Sequence, residues 1–454
     1  MLINTKKNGH AIILSYLCTV FDDWRQKNRT LTYEKIIFQD FGVTAELSTF
    51  MTEDGITEQH AILHVEPRGD LFAGQFQRLQ QAEEALLHNE ACAGSQVVFK
   101  RYFLSDATNQ ASALSPHPFP TLPFRGLGGP SALSHIQQPP LDGSKVAVWL
   151  YLVHGMDVEN HDGLVIARHN GYEHLWKMGM CVPEGDSAQQ TTTLLQQYED
   201  LLQRHGATLA DNCIRTWFYV RDVDTQYAGM VRARRENFQE QGLTENTHFI
   251  ASTGIGGSPA DTKALVQLGT YALVGFAPEQ QRYLYAKTHL NPTYEYGVTF
   301  ERGTTISYGD RSHVFISGTA SINNRGEVVH VGDIVKQTHR MWENVEALLK
   351  EADASFDDVA QIIVYLRDTG DYDVVKELFA SRFPGIPVSS PSRPSAVPHG
   401  SSRWSAWPSK QPRMLNTGIS KSPSPRSPVA PLPPWGEGLQ ARAQEPVRCR
   451  AVNG

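Results

Sequence analysis

The sequence predicts an α+β fold built from tandem units, each with helices on one face of a mixed sheet. Two observations carry that reading. Candidate segments recur in the order strand, strand, helix, strand, helix, which suits a sheet covered on one side. One stretch is also echoed further along: Leu201 to Asp222 reads LLQRHGATLADNCIRTWFYVRD, and Leu348 to Asp368 reads LLKEADASFDDVAQIIVYLRD. Each begins as the end of an amphipathic helix, crosses a polar turn, enters a β-branched and aromatic strand and ends in Arg-Asp. At 454 residues the chain is long enough for two or three structural units.

The elements follow in chain order. Lys6 and Lys7 precede an apolar run, Ala11 to Phe21, but Asp22, Asp23 and Arg25 follow at once. No small-x-small cleavage site is visible, and the run is too short to span a bilayer. Residues 1–32 are therefore expected to be a disordered leader, from an over-long start, with strand-like sequence beginning at Tyr33. Residues 33–145 form an N-terminal α+β region with a helix at Gln75–His88 and a strand at Val97–Leu104. It is a faint echo of the repeat, interrupted by Pro116, Pro118, Pro120, Pro123 and Pro130.

Residues 146–275 form a degenerate repeat. Its strands are expected at Val146–His154, Tyr172–Met180, His248–Thr253 and Leu265–Val274, with a helix at Tyr227–Gln241. The aromatics Trp217, Phe218 and Tyr219 belong to its core strand. Residues 296–388 form the better-preserved copy, with strands at Gly297–Thr305 and His313–Ile322 and a closing helix at Tyr372–Phe383. A strand should follow Pro384, but from Ser389 to Gly454 the chain is Ser/Pro-rich and aperiodic, which reads as disorder. A shifted reading frame across Pro394–Pro408 permits Val-Cys-Arg-Pro-Thr-Trp-Leu-Val-Glu-Met-Glu-Cys-Met-Ala, which alternates like a strand. The tail is expected to be a misread closing strand.

Composition excludes several function classes. A net charge of -7 opposes a broad nucleic-acid or anionic-membrane surface. The five cysteines stand singly, without C-x-x-C pairs, so a reducing cytoplasm is the simplest home. His154, His161, His169 and His174 cluster without H-E-x-x-H spacing, so no metal site is expected. Ser252 to Gly257 (STGIGG) lacks the Gly-Lys-Ser/Thr of a phosphate loop and reads as a flexible strand exit.

Ile316-Ser317-Gly318-Thr319-Ala320-Ser321-Ile322, then His330-x-Gly332-Asp333, Gln337 and Asn344, resemble the signature of the YjgF/Rid superfamily. Gln138-Pro139-Pro140-Leu141, the Ala233-Arg234 to Phe238 helix, Ser252-Thr253-Gly254-Ile255 and Phe300-Glu301-Arg302 are similar to the chorismatase branch, and the likeness runs over roughly residues 33 to 388. Two places depart from that branch: Asn323-Asn324-Arg325-Gly326, a longer turn, and the Tyr294–Arg302 approach.

The resemblance implies chorismate-mutase-like, βαβ-type units, cofactor-free chemistry and a homotrimer or pseudo-trimer with sites between units. It implies cleavage of chorismate, or a similar small carboxylate, to release pyruvate. Arginine suits such a substrate because its planar fork grips carboxylate bidentately. Arg234 and Arg302 are the candidates, with Ser317, Gly318 and Thr319 offering backbone N–H groups at a strand end. Other readings stay open: Arg234 on a solvated helix face, Arg302 in an ion pair beside Glu301, and Ser317-Gly318-Thr319 as a tight strand crossing. The glutamate that the resemblance implies as acid, on the closing strand, is absent from the chain, so no catalytic residue is assigned. Enamine or imine deamination of the Rid type and non-catalytic small-molecule binding are the alternatives. A nucleic-acid or membrane partner is not expected.

Overall fold

β-Branched and aromatic runs form the strands of this protein, and Leu- and Ala-bearing amphipathic runs form its helices. The computed structural model describes residues 12–20, 31–114, 131–391 and 409–410. All of them fall within one unit, Met1–Arg413. Among them no helix is long and apolar enough to cross a membrane.

A strand, β1 (Ile12–Val20), comes first. The first sheet unit then runs β2 (Leu31–Phe38), β3 (Val43–Met51), β4 (Thr57–Val65), α1 (Phe72–Leu87), β5 (Gln96–Leu104), α2 (Ala107–Leu114), β6 (Ala132–Gln137) and β7 (Val146–His154). The second runs β8 (Asp157–His161), β9 (Leu164–His169), β10 (Tyr172–Cys181), α3 (Ser187–Arg204), the short α4 (Leu209–Asn212), β11 (Cys213–Val220), α5 (Val223–Glu240), β12 (Ala251–Gly256) and β13 (Val266–Val274). The third runs β14 (Gln281–Leu284), β15 (Gly303–Tyr308), β16 (Arg311–Ile316), α6 (Ile334–Glu351), β17 (Val359–Leu366), α7 (Tyr372–Arg382) and β18 (Val388–Ser389), with β19 (Ser409–Lys410) beyond.

The three sheets share one strand order. It is β2-β3-β4-β7-β5-β6 in the first and β8-β9-β10-β13-β11-β12 in the second. In each, the last strand inserts between the third and fourth and pairs antiparallel with both. The third sheet reads β14-β15-β16-β19-β1-β17-β18, so β1 takes the inserted position. It lies antiparallel to β17, from Ile12 opposite Leu366 to Cys18 opposite Val359. The leader expected over residues 1–32 thus contains a sheet strand, and β2 begins at Leu31. Val146–His154 is a strand as expected, but it closes the first sheet instead of opening the second. Sequence order alone cannot tell whether a strand pairs backward or forward. The tail expected to be disordered from Ser389 includes the second residue of β18 and the described Ser390 and Pro391; residues 392–408 and 411–454, with the misread-strand reading, lie outside the described residues.

Helix starts follow local chemistry. Asp186 caps α3, accepting from the Ala188 and Gln189 amides, and Gln189 returns the bond in a capping box. Asp333 caps α6 through the Lys336 amide. Each unit packs its helices on one sheet face, giving three separate helix–sheet cores. The opposite faces of all three sheets meet in a fourth core that contains Ile62, Phe99, Trp149, Trp176, Trp217, Tyr271, Phe315 and Tyr365. Trp217, Phe218 and Tyr219 are buried, split by strand alternation between the central core and a helix face.

A buried ion network joins the first and third sheets. Glu58 on β4 accepts from Arg311 Nε at 2.7 Å and contacts His313 Nε2 at 2.6 Å, both on β16. Burial opposes the Glu58 charge, yet Arg311 and His313 hold its carboxyl far below the usual range.

Candidate active site between the second and third sheets

The second and third sheets meet where β12 passes the segment leading into β15. Ala251 bridges Glu301 in parallel, and the Glu301 amide donates to the Ile250 carbonyl at 3.2 Å. From the third sheet, Ser317 Oγ accepts from the Ser252 amide at 2.9 Å and donates to the Glu301 carbonyl at 2.5 Å. β12 is therefore buried along its whole length. The flexible strand exit expected at Ser252–Gly257 is corrected to a rigid strand, held by β11 on one side and the third sheet on the other.

All five candidate residues gather at this seam and all are buried. Arg234 lies on the inner face of α5, not on a solvated one. Its Nε donates to Thr299 Oγ1 at 3.3 Å and its Nη1 to Ser252 Oγ at 3.4 Å, above the rings of Phe218 and Phe238. Arg302 sends Nε and Nη2 to the Asn291 carbonyl at 3.0 and 2.8 Å, and Nη2 also to Asn291 Oδ1 at 3.0 Å. The N–H groups of Ser317 and Gly318 are not available to an anion. They donate to the Arg302 and Ser252 carbonyls at 2.9 and 3.3 Å, which is the tight-crossing geometry. Thr319 Oγ1 turns back to the Ser317 carbonyl at 3.0 Å. These bonds also pull the chain out of the sheet after Ile316, so β16 ends before the expected Ile322.

In front of the seam lies a cleft of about 170 Å³. Phe249, Tyr285, Lys287, Tyr294, Glu301 and Arg302 are among the residues lining it. The expected strand Gly297–Thr305 starts only at Gly303, because the preceding segment forms the cleft wall instead. Of the five candidates, only Arg302 reaches the lining. Lys287 is exposed, with its ammonium 5.3 Å from the Tyr285 ring centroid.

The residue that sequence reasoning passed over is Glu301. Glu301 is 7% exposed, and its Oε1 accepts from the Phe249 amide at 2.9 Å. Burial pushes its carboxyl up to about 7, against the smaller opposing pulls of that amide and of Arg302. A carboxyl poised there exists in both protonation states at neutral pH, as proton transfer to and from a substrate requires. Phe300-Glu301-Arg302 was visible as a motif, but Glu301 read as the partner of Arg302. The strand in the inserted position of the third sheet, IILSYLCTV, contains no acid, so it does not replace the expected glutamate.

Comparison with known proteins agrees with the architecture. Residues 306–398 match the family model of Endoribonuclease L-PSP. The 3-aminoacrylate deaminase RutC of Acinetobacter baylyi is 35% identical over 71 residues, 16% of this chain and 56% of RutC. The chain thus spans little more than half the length of that relative. A 3-hydroxybenzoate synthase of Streptomyces hygroscopicus is 27% identical over 248 residues, 49% of this chain and 69% of the synthase. A chorismatase crystal structure superposes with a TM-score of 0.50 at 18% identity, covering 69% of this chain and 92% of that one. This chain thus shares the fold of chorismatase and carries an Endoribonuclease L-PSP-type segment over residues 306–398, in its third unit.

Proposed function

We propose that this protein is a cofactor-free enzyme of the chorismatase type, which cleaves chorismate or a similar small carboxylate and releases pyruvate. The observation that supports this most is the Glu301 carboxyl, raised to about 7 inside a cleft that Arg302 and Lys287 also line. Arg302, oriented by Asn291, and Lys287 would each meet a carboxylate of the substrate. Glu301 would donate its proton to the terminal methylene carbon of the enolpyruvyl ether, the C=C pair forming the new C–H bond. Water adds to the resulting oxocarbenium carbon and returns a proton to the Glu301 carboxylate. The hemiketal then breaks its bond to the ring oxygen, its hydroxyl proton passes to that oxygen, and pyruvate and a ring alcohol leave.

The three sheets around one core support a pseudo-trimer within a single chain, with the site at a seam between units. A cytoplasmic location fits the single, scattered cysteines. A second reading, imine or enamine deamination, is favoured by the similarity to RutC and would use ionised Glu301 to activate water beside Arg302. Pyruvate release from chorismate tests the first reading and ammonia release from an imine the second. Ligand-induced thermal stabilisation without turnover would point to a binding protein.

A further inference from the structure

Among the described residues, no carboxylate balances the positive charge buried in the central core. Strand alternation turns Phe99, Arg101 and Phe103 of β5, Arg215, Trp217 and Tyr219 of β11, and Gln361, Ile363 and Tyr365 of β17 toward this core. Arg101 is fully buried, with its guanidinium carbon 5.0 Å from the Trp217 ring centroid, 5.1 Å from Trp149, 5.3 Å from Tyr219 and 5.8 Å from Phe99. Its one hydrogen bond is from Nη2 to Met178 Sδ at 3.4 Å, and Nε and Nη1 have no partner.

Arg215 lies against the same indole, 4.9 Å from its centroid, and donates only to the Thr216 carbonyl and Thr253 Oγ1. Two guanidinium groups therefore share Trp217. The buried Glu58 is already engaged by Arg311 and His313. Gln361, on the equivalent strand of the third sheet, has neither side-chain polar atom partnered. Aromatic faces offset part of the desolvation of a cation but supply no acceptor for its N–H groups. Such groups stay buried when an acceptor meets them.

We infer that the junction of the three sheets holds a small monovalent anion, a halide or a formate-sized carboxylate, hydrogen-bonded by the Nε and Nη1 groups of Arg101. The anion offsets the paired charge of Arg101 and Arg215 and acts as a structural ligand of the three-sheet core. Gly269 lets Met178 and the Nη2 end of Arg101 pack against the sheet, since a Cβ there would come within 3.0 Å of Met178 Sδ and 3.6 Å of Arg101 Nη2. This site is separate from the cleft at Glu301 and does not depend on the proposed reaction.

The test is thermal unfolding of the full chain in chloride, bromide or formate, against gluconate at matched ionic strength. The expected result is a saturable rise in midpoint with a small anion; whether halide or formate acts at lower concentration identifies the natural occupant. Bromide should also quench the buried tryptophan emission, and bromide-soaked crystals should give an anomalous peak within hydrogen-bonding distance of Arg101. Arg101→Met should abolish the anion dependence. If that variant does not fold, the wild-type bromide data decide alone. Equal midpoints in all four salts, or no anomalous peak at Arg101, would overturn the inference.

Discussion

The second and third sheets follow one strand order but are closed differently. In the second, β13 comes from the unit's own chain and pairs with β10 on one edge and β11 on the other. In the third, the same position is filled by β1, from the far end of the sequence. β1 pairs with β17 along most of its length, while β16 reaches it through only the two residues of β19. The contrast shows that this architecture specifies a place for a closing strand more strongly than it specifies which segment fills it. The cost is a less cooperative third unit, because closing a sheet across so long a stretch of chain is entropically more demanding than closing it locally.

The largest effect is expected from removing residues 1–20. Amide exchange across Val359–Leu366 should then accelerate by roughly 10,000-fold, as a paired strand loses one edge, while Cys213–Val220 stays protected. Equal loss in both strands, measured by hydrogen–deuterium exchange, would erase the distinction drawn between the sheets.

Glu58→Gln sharpens the comparison from the other edge, because Glu58 anchors β16 to the first sheet. Removing the carboxylate shared by Arg311 and His313, with Asp310 still paired to Arg311, should cost about 3 kcal/mol in urea unfolding at pH 7. The folded Glu58 pKa is depressed, so its contribution is present above the unfolded value of about 4.5 and is lost as pH falls. The wild-type advantage over the variant should shrink below that pH.

A smaller effect of opposite sign belongs to Glu301, whose folded pKa is raised to about 7. The folded state then holds a proton that the unfolded chain releases, so stability falls as pH rises from about 4.5 to about 7. Glu301→Gln should be more stable than wild type at pH 8, by up to about 3 kcal/mol. The two should converge near pH 4.5. A variant less stable at pH 8 would show that Glu301 is ionised and well paired.

Much of the scaffold was legible because local pattern determines local structure. Val146–His154 was placed to the residue, and the helices Tyr227–Gln241 and Tyr372–Phe383 fall inside or within a residue or two of α5 and α7. What was hidden depends on partners distant in sequence. Nothing near Ala11–Phe21 indicates that a vacant position between β16 and β17 will receive it, and Lys6 and Lys7 make the run look like a leader. Arg234 looked solvent-facing among Arg232 and Arg235, yet Thr299 and Ser252 converge on it from two other elements. Glu301 acquires its character from burial and from the Phe249 amide, neither of which its neighbours Phe300 and Arg302 disclose.

The most direct test is pyruvate release from chorismate by the wild-type protein and by Glu301→Gln, followed from pH 5 to pH 9. Wild-type turnover should decline above about pH 7 as Glu301 ionises, and the variant should lose roughly 100-fold or more in kcat. Turnover unchanged by the substitution, or no pyruvate from the wild type at any pH, would contradict the proposed reaction.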